Sequence, residues 1–136
     1  MKIKLEMDRE RAICLMRACE VMARIGMGQF GEMVEFLNPE KTWDERQAIE
    51  RYLKEKLSSD LSPHGYNSMH SKKVPEDCQV AWDAYQHIRR EIAWYDKGLN
   101  WRTDHRDFTK DMMGVNFDEP FKAAKLNGDF KTERID

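Results

Sequence analysis

Apolar residues recur at helical spacing from Arg9 to Ile25, and this pattern constrains the fold more than any other feature of the chain. One helix face collects Ala12, Leu15, Met16, Cys19, Met22 and Ala23. Further apolar positions widen that face: Ile13, Ala18, Val21 and Ile25. A helix that is apolar on more than one side is usually buried on more than one side. The pattern therefore predicts a central helix, which begins after an N-cap at Asp8.

Three glycines follow this helix within six residues, at Gly26, Gly28 and Gly31. Each costs about 1 kcal/mol relative to alanine inside a helix, so the segment predicts a sharp corner between two helices. The spacing also matches G-x-G-x-x-G, but the dinucleotide fingerprint requires a strand before the glycines, and here a helical pattern precedes them. The functional alternative to a plain corner is an anion or ligand site, formed by backbone N–H groups with Arg24 and Gln29.

Three more helices are predicted downstream, over about 29–37, 43–57 and 75–97. Thr42 and Glu45 have the spacing of a capping box at the start of the second of these, whose buried face is expected at Ile49, Tyr52, Leu53 and Leu57. Gly98 provides a C-terminal stop for the third. The stretch 58–73 has no periodicity and is long for a loop in a small domain.

Residues Met1–Met7 alternate apolar and charged side chains, which is the period of a half-buried strand. A strand needs a partner, and the candidates are the internal stretch 112–117 or a second copy of the chain. Short helices are predicted within 103–112 and 119–127. Aromatic residues are spaced along the polar tail after Trp101, a pattern typical of an arm laid over a surface: Phe108, Phe117, Phe121 and Phe130.

Together these patterns predict a mainly α fold: a small helical domain of about four helices with a short N-terminal β-strand and an extended C-terminal arm. The helical domain with its strand covers residues 1–100. The arm covers residues 101–136 and packs on the same domain or on a neighbouring subunit. A homo-oligomer is expected, because the strand lacks a clear internal partner and the arm carries spaced aromatic residues.

The charges nearly balance, with 23 basic and 25 acidic residues and a net charge of −2. A general polyanion binder normally has a basic surplus, so a long nucleic acid is not an expected partner. No stretch approaches the roughly 20 apolar residues of a membrane span, and the N-terminus lacks the apolar core of a signal peptide. A cytoplasmic protein that does not bind membranes is expected, with its three cysteines reduced.

Catalytic and metal-binding motifs are weak in this sequence. The histidines and Cys78 match no zinc-ligand spacing, so no metal site is predicted. No nucleophile and base can be paired, so the sequence predicts no catalytic residue and no cofactor, and a non-catalytic role is favoured. The enzymatic alternative is a metal-assisted nucleotide hydrolase that uses Glu32, Glu35 and histidines.

Basic and aromatic residues concentrate around the end of the last predicted helix. Arginine binds phosphate bidentately and aromatic faces stack on bases, so this mixture is typical of nucleotide pockets. Arginine pairs on a helix are also commonly solvated, and tryptophans at helix ends commonly belong to the core. In the functional interpretation, a small nucleotide-type ligand is bound by Arg24, Gln29, Arg89, Arg90, Trp101 and Arg102.

The segment Ala23-Arg24-Ile25-Gly26-Met27-Gly28-Gln29-Phe30 resembles one found in small uncharacterised helical proteins of phages and prophages. The segment Ala84-Tyr85-Gln86-His87-Ile88-Arg89 resembles a second stretch of those proteins. The resemblance implies a phage-type accessory protein in the host cytoplasm, which binds and sequesters a nucleotide-derived signal of host defence without catalysis. The alternative in the same setting is an interaction module that docks on a host protein through its arm and inhibits it.

Overall fold

The structure is a computed structural model and describes residues 1–103 and 130–135. Four helices form in this part of the chain: α1 (Arg9–Gly26), α2 (Gly31–Leu37), α3 (Trp43–Leu57) and α4 (Glu76–Asp96). The mainly α fold is confirmed, and each of these helices lies where the apolar spacing predicts one. The helices predicted after residue 103, the strand candidate at 112–117 and most of the predicted arm lie outside the described residues.

None of the described helices combines the length and the apolar character that are needed to cross a bilayer.

The N-terminal segment (Met1–Asp8) forms neither helix, turn nor bend, and it pairs with no strand in the described ranges. Its side chains are exposed, with 71% of Ile3 and 70% of Leu5 accessible to solvent. A strand is stabilised by the backbone hydrogen bonds of a neighbouring strand, and no such neighbour is present within residues 1–103 and 130–135. The predicted N-terminal strand therefore stays a prediction.

The glycine corner after α1 is built around Gly28, whose φ is +85°. The Gln29 N–H donates to the carbonyl of Arg24 at 2.8 Å, and the Gly28 N–H donates to the carbonyl of Ile25 at 3.0 Å. These are the two hydrogen bonds of a Schellman motif, which requires a left-handed residue and therefore favours glycine. The end of α4 has the same motif at Gly98, with φ of +71°. The predicted corner and the predicted stop are both confirmed.

Helix α3 begins with the predicted capping box. Thr42 Oγ1 accepts a hydrogen bond from the Glu45 N–H, and the Glu45 carboxylate accepts one from the Thr42 N–H. The face of α3 that the apolar spacing assigns to the core is partly wrong, because Tyr52 is 60% and Leu57 is 66% exposed. The buried residue of α3 is Lys54, which apolar spacing alone does not identify.

The long loop after α3 is ordered through Lys54. The ammonium Nζ of this residue donates to the carbonyl of Pro63 at 3.1 Å and to the carbonyl of Gly65 at 2.7 Å. A buried ammonium needs acceptors, and loop carbonyls without helical or sheet partners provide them. These two hydrogen bonds explain why a lysine, and not an apolar residue, occupies the buried position of α3.

Contacts divide the chain into two compact units, and both boundaries fall inside helices, in α1 and in α4. The mid-chain unit is Cys19–Trp82, and its buried apolar residues are Ala23, Met27, Phe30, Val34, Met69, Val74, Cys78 and Ala81. The terminal unit combines Met1–Ala18 with the described residues from Asp83 onward. Its buried residues are Ala84, Tyr85, Ile88 and Trp94, beside the polar Asp83, Gln86 and His87. The division predicted at residue 100 stays a prediction.

Candidate ligand-binding site

Arg24 and Gln29, the predicted anion-binding residues of the glycine corner, lie in the mid-chain unit and contact each other. Arg24 Nη1 donates to Gln29 Oε1 at 2.9 Å, and Arg24 Nε donates to Glu20 Oε1 at 2.9 Å. The guanidinium also lies 5.8 Å from the centre of the Trp82 ring. The charge of Arg24 is therefore already engaged by Glu20, and an anion at this corner would have to compete with that carboxylate.

Arg89, Arg90, Trp101 and Arg102 all belong to the terminal unit, where the structure brings three of them together. The indole of Trp101 is contacted by two guanidinium groups, with Arg90 Cζ 3.8 Å and Arg102 Cζ 4.3 Å from the ring centre. Both distances lie well inside the range in which a cation is attracted to an aromatic face. This cluster, which we call the Trp101 cluster (Arg90, Trp101 and Arg102), is the part of the predicted pocket with a defined geometry.

The turn that follows α4 positions Trp101 and Arg102 of the Trp101 cluster. Gly98 ends α4, and the chain then turns at Asn100, whose side-chain Oδ1 accepts the Arg102 N–H at 3.0 Å. Asparagine readily forms such a turn with the backbone two residues later. The Thr103 N–H then donates to the Asn100 carbonyl at 3.1 Å, which closes the turn. Trp101 and Arg102 consequently lie beside Arg90 of α4.

Glu91 of α4 accepts hydrogen bonds from two members of the Trp101 cluster and from Thr132. Both terminal nitrogens of Arg102 donate to its carboxylate, at 3.0 and 2.9 Å. The Trp101 Nε1–H donates at 3.0 Å and the Thr132 hydroxyl at 2.9 Å. The Arg134 Nε lies 3.5 Å from the same carboxylate. Burial favours the neutral acid, but the hydrogen bonds from Arg102, Trp101 and Thr132 outweigh it and lower the pKa of Glu91.

Glu91 is not among the residues that the sequence predicts for the site, and no local signal could have identified it. Its partners are 10, 11 and 41 residues away along the chain, so they meet only in the folded molecule. The carboxylate also fixes Arg102, which donates a further hydrogen bond to the Thr132 carbonyl. Arg102 is therefore held by Glu91 and Thr132, and it orients Trp101 instead of presenting an uncommitted charge.

Arg90 differs from Arg102 in its partners. Its side chain is half-buried, and its buried Nε has no hydrogen-bond acceptor within the described ranges. Burial lowers the pKa of Arg90, Glu91 opposes that shift, and the like charge of Arg102 adds to it. An arginine remains charged in proteins despite such effects. The structure thus places against an indole ring a guanidinium whose Nε lacks an acceptor among the described residues.

Arg89 is the fourth predicted residue of this unit, and it faces a different ring. Its Cζ lies 5.5 Å from the centre of the Tyr85 ring, four residues earlier on α4. The i,i+4 spacing puts both side chains on one face of the helix. Arg89 therefore contacts Tyr85, whereas Arg90 contacts Trp101.

A buried acid and a histidine also meet on α4. Asp83 is 1% exposed, and its Oδ1 lies 3.7 Å from His87 Nε2, a separation too long for a hydrogen bond. Neither carboxylate oxygen of Asp83 has a hydrogen-bond donor in the described part of the chain. The ring of Phe130 stacks on His87 with 5.7 Å between ring centres. The sequence did not lead us to predict this pair, although its i,i+4 spacing is visible there.

The carboxylates of the hydrolase alternative lie on α2, where partial desolvation and the like charge of Glu20 raise the pKa of Glu32. Glu35 pairs with Arg46, with 3.5 Å between the carboxylate oxygen and the guanidinium nitrogen. Within residues 1–103 and 130–135, no three histidine, cysteine or acidic side chains are grouped so that they could hold a metal ion.

Comparison of the chain with protein-family models, with curated proteins and with solved structures found no match.

Proposed function

We propose that the chain is a non-catalytic binding protein of the phage accessory type, which sequesters a small nucleotide-derived ligand of host defence in the cytoplasm. The observation that carries the proposal is Arg90, whose guanidinium stacks on Trp101 at 3.8 Å while its buried Nε lacks an acceptor in the described ranges. A buried donor without an acceptor costs free energy, and an anion that reached this nitrogen after a small rearrangement of the side chain would remove that cost. The Trp101 cluster therefore favours an anionic ligand.

The geometry of the stack favours a phosphate group as that anion. A guanidinium that lies over an indole uses its face for the contact, and its N–H groups point outward along its edge. Phosphate oxygens bind that edge with one or two hydrogen bonds. Arg90 would bind the phosphate, while Arg102, held by Glu91, keeps the indole in place. The net charge of −2 favours a small anion over a long polyanion.

The proposal includes assembly into a homo-oligomer, with the N-terminal segment as a strand and the residues after Trp101 as an arm. Exposure of the apolar side chains of the N-terminal segment supports assembly. The bonds of Thr132 and Arg102 to Glu91 support an arm that returns to α4 of its own chain. The strand and the arm are predicted from the sequence pattern. The exposed apolar side chains support the strand, and the hydrogen bonds to Glu91 support the arm.

The test is native mass spectrometry with a panel of cyclic and ADP-ribose-type nucleotides, followed by calorimetric titration of any that bind. A gain of one nucleotide mass per subunit is expected. Arg90→Ala should weaken binding about 10- to 100-fold, since hydrogen bonds to a charged group contribute about 1.5–3 kcal/mol. Arg17→Ala, which removes an exposed arginine of α1, is the matched control and should bind normally. Equal affinity of Arg90→Ala and Arg17→Ala, or no mass gain with any nucleotide, contradicts the proposal.

A second candidate is a module that docks on a host protein, and exposed apolar residues in the mid-chain unit favour it. Phe36 is 75%, Leu37 62% and Trp43 67% exposed, at the end of α2 and the start of α3. Aromatic residues of this kind are enriched in the centres of protein interfaces. This candidate predicts no nucleotide mass gain in the same experiment.

A further inference from the structure

The N-terminal segment presents two chemically different sides. Its odd-numbered residues are apolar, and Met1, Ile3, Leu5 and Met7 are 111%, 71%, 70% and 39% exposed. Its even-numbered residues are charged, with lysines in the first half and acids in the second: Lys2, Lys4, Glu6 and Asp8. Lys4 Nζ lies 4.0 Å from Glu6 Oε1, so these two side chains share a side of the backbone. Unpaired backbone with alternating side chains is a template for a second strand.

We propose that the N-terminal segments of two copies of this chain pair as antiparallel strands about a two-fold axis at Leu5. In this register, residue n of one copy lies opposite residue 10 − n of the other copy. Leu5 faces Leu5 of the second copy, and Ile3 faces Met7. On the other side of the ribbon, Lys4 faces Glu6 and Lys2 faces Asp8.

The charges select this register over its neighbours. Cross-strand pairs of opposite charge stabilise a sheet, and like charges directly opposite each other destabilise it. A shift of the axis to residue 4 places Lys4 against Lys4, and a shift to residue 6 places Glu6 against Glu6. If one strand slides by a single residue, the two-fold axis lies between residues and apolar side chains lie opposite charged ones. The register about Leu5 matches every pair in both charge and polarity.

Asp8 limits the length of the ribbon. Its Oδ1 accepts the Arg11 N–H at 2.9 Å, and its carbonyl accepts the Ala12 N–H at 2.9 Å, as expected for an N-cap of α1. An N-cap residue has extended backbone, so a strand can end there without a linker. The ribbon therefore spans residues 2–8 of each copy and joins α1 directly.

Pairing alone is marginal for a two-stranded ribbon in water, so the apolar side must contribute. Each copy supplies Ile3, Leu5 and Met7 to one side of the ribbon, and these side chains are solvent-exposed in the single chain. Contact between these side chains across the ribbon removes part of their surface from water and provides the non-directional part of the association, and the charge pairs provide the register. This inference rests on the proposed self-association and is independent of ligand binding.

Charge reversal tests the pairing, with light scattering coupled to size-exclusion chromatography over a range of concentrations. Lys4→Glu places Glu against Glu6 twice in the symmetric pair and should weaken the dimer about tenfold or more. The double variant Lys4→Glu/Glu6→Lys restores opposite charges and should restore the dimer. A dimer that Lys4→Glu leaves unchanged, or that the double variant does not restore, overturns the proposal, as does a wild-type monomer at tens of micromolar.

Cysteine cross-linking tests the register in a background with Cys14→Ser and Cys19→Ser. Leu5→Cys faces itself across the axis and should oxidise to a covalent dimer. The matched control is Lys4→Cys, which faces Glu6 and should cross-link poorly alone but efficiently when mixed with Glu6→Cys. Equal cross-linking of Leu5→Cys and Lys4→Cys contradicts the register. Nucleotide titration of Lys4→Glu then tests the proposed ligand site separately, because Arg90 lies outside the N-terminal segment.

Discussion

Glu91 shows how much of the terminal unit depends on one carboxylate. It accepts hydrogen bonds from Trp101, Arg102 and Thr132, so it connects α4 both to the turn after Gly98 and to the residues near the C-terminus. Its side chain is 15% exposed, and the Arg102 side chain is 29% exposed. Solvent screens a pair at this depth less than a surface ion pair. Loss of the carboxylate leaves Arg102 and Trp101 with unsatisfied donors.

Glu91→Gln should lower the free energy of unfolding by about 2 kcal/mol, as expected when a charged acceptor with several donors becomes neutral. Urea denaturation followed by circular dichroism measures the change. Glu55→Gln is the matched control on an exposed position of α3 and should change stability by less than about 0.5 kcal/mol. If the two variants were equally stable, Glu91 would not be the connection that its hydrogen bonds indicate.

The same variant should change the pH dependence of stability. The pKa of Glu91 in the folded protein lies below its ordinary value of 4.5. Its stabilising contribution is therefore complete above the pKa of the unfolded chain and is lost as the pH falls through the pKa of the folded protein. Wild type should lose stability relative to Glu91→Gln as the pH is lowered from 6 to 3. Parallel pH curves for the two proteins would contradict this prediction.

Helix α3 is defined by its capping box and by the buried Lys54. The capping box is a local feature, because Thr42 and Glu45 are three residues apart. Lys54 acts over a longer range, since its acceptors Pro63 and Gly65 lie in the following loop. The helix and the loop therefore stabilise each other, and the order of the loop could not be predicted from the loop sequence alone.

Lys54→Met keeps the aliphatic stem of the side chain and removes its three donors. We expect a loss of about 1–3 kcal/mol in the free energy of unfolding, because hydrogen bonds to the loop carbonyls disappear. Limited proteolysis should then cut the loop between residues 58 and 73 faster than in wild type. Lys56→Met is the control on the exposed side of α3, where the ammonium contacts only the Tyr52 ring among the described contacts. Equal proteolysis of both variants would show that Lys54 does not order the loop.

The proposed pairing of N-terminal segments links the stability of the protein to its concentration. Any partner that binds the folded chain alone stabilises it by mass action. The Tm of wild type should therefore rise by about 2 °C for each tenfold increase in concentration, and the Tm of Lys4→Glu should begin to rise only at concentrations about tenfold higher. Differential scanning calorimetry at several concentrations measures both. A concentration-independent Tm for wild type would contradict self-association.

The sequence predicted the four helices of the described residues because the forces that form them are local. Helical apolar spacing located α1 to α4, and the glycines at positions 28 and 98 marked two helix ends. A glycine that must adopt a positive φ can be identified from its neighbours alone. The capping box of α3 is equally local. The four described helices, two of their C-terminal ends and the capping box of α3 therefore follow from local sequence.

Tertiary structure decided which side chains meet. The mixture of basic and aromatic residues predicted that Arg90, Trp101 and Arg102 belong to one site, but it gave no indication that Glu91 holds Arg102 while the Arg90 Nε lacks an acceptor in the described ranges. Apolar spacing placed Tyr52 in the core, where the fold buries Lys54. Periodicity reports the polarity of a helix face, whereas hydrogen bonds between distant residues depend on the path of the chain. That path is set by the sum of many weak contacts, and no single segment encodes it.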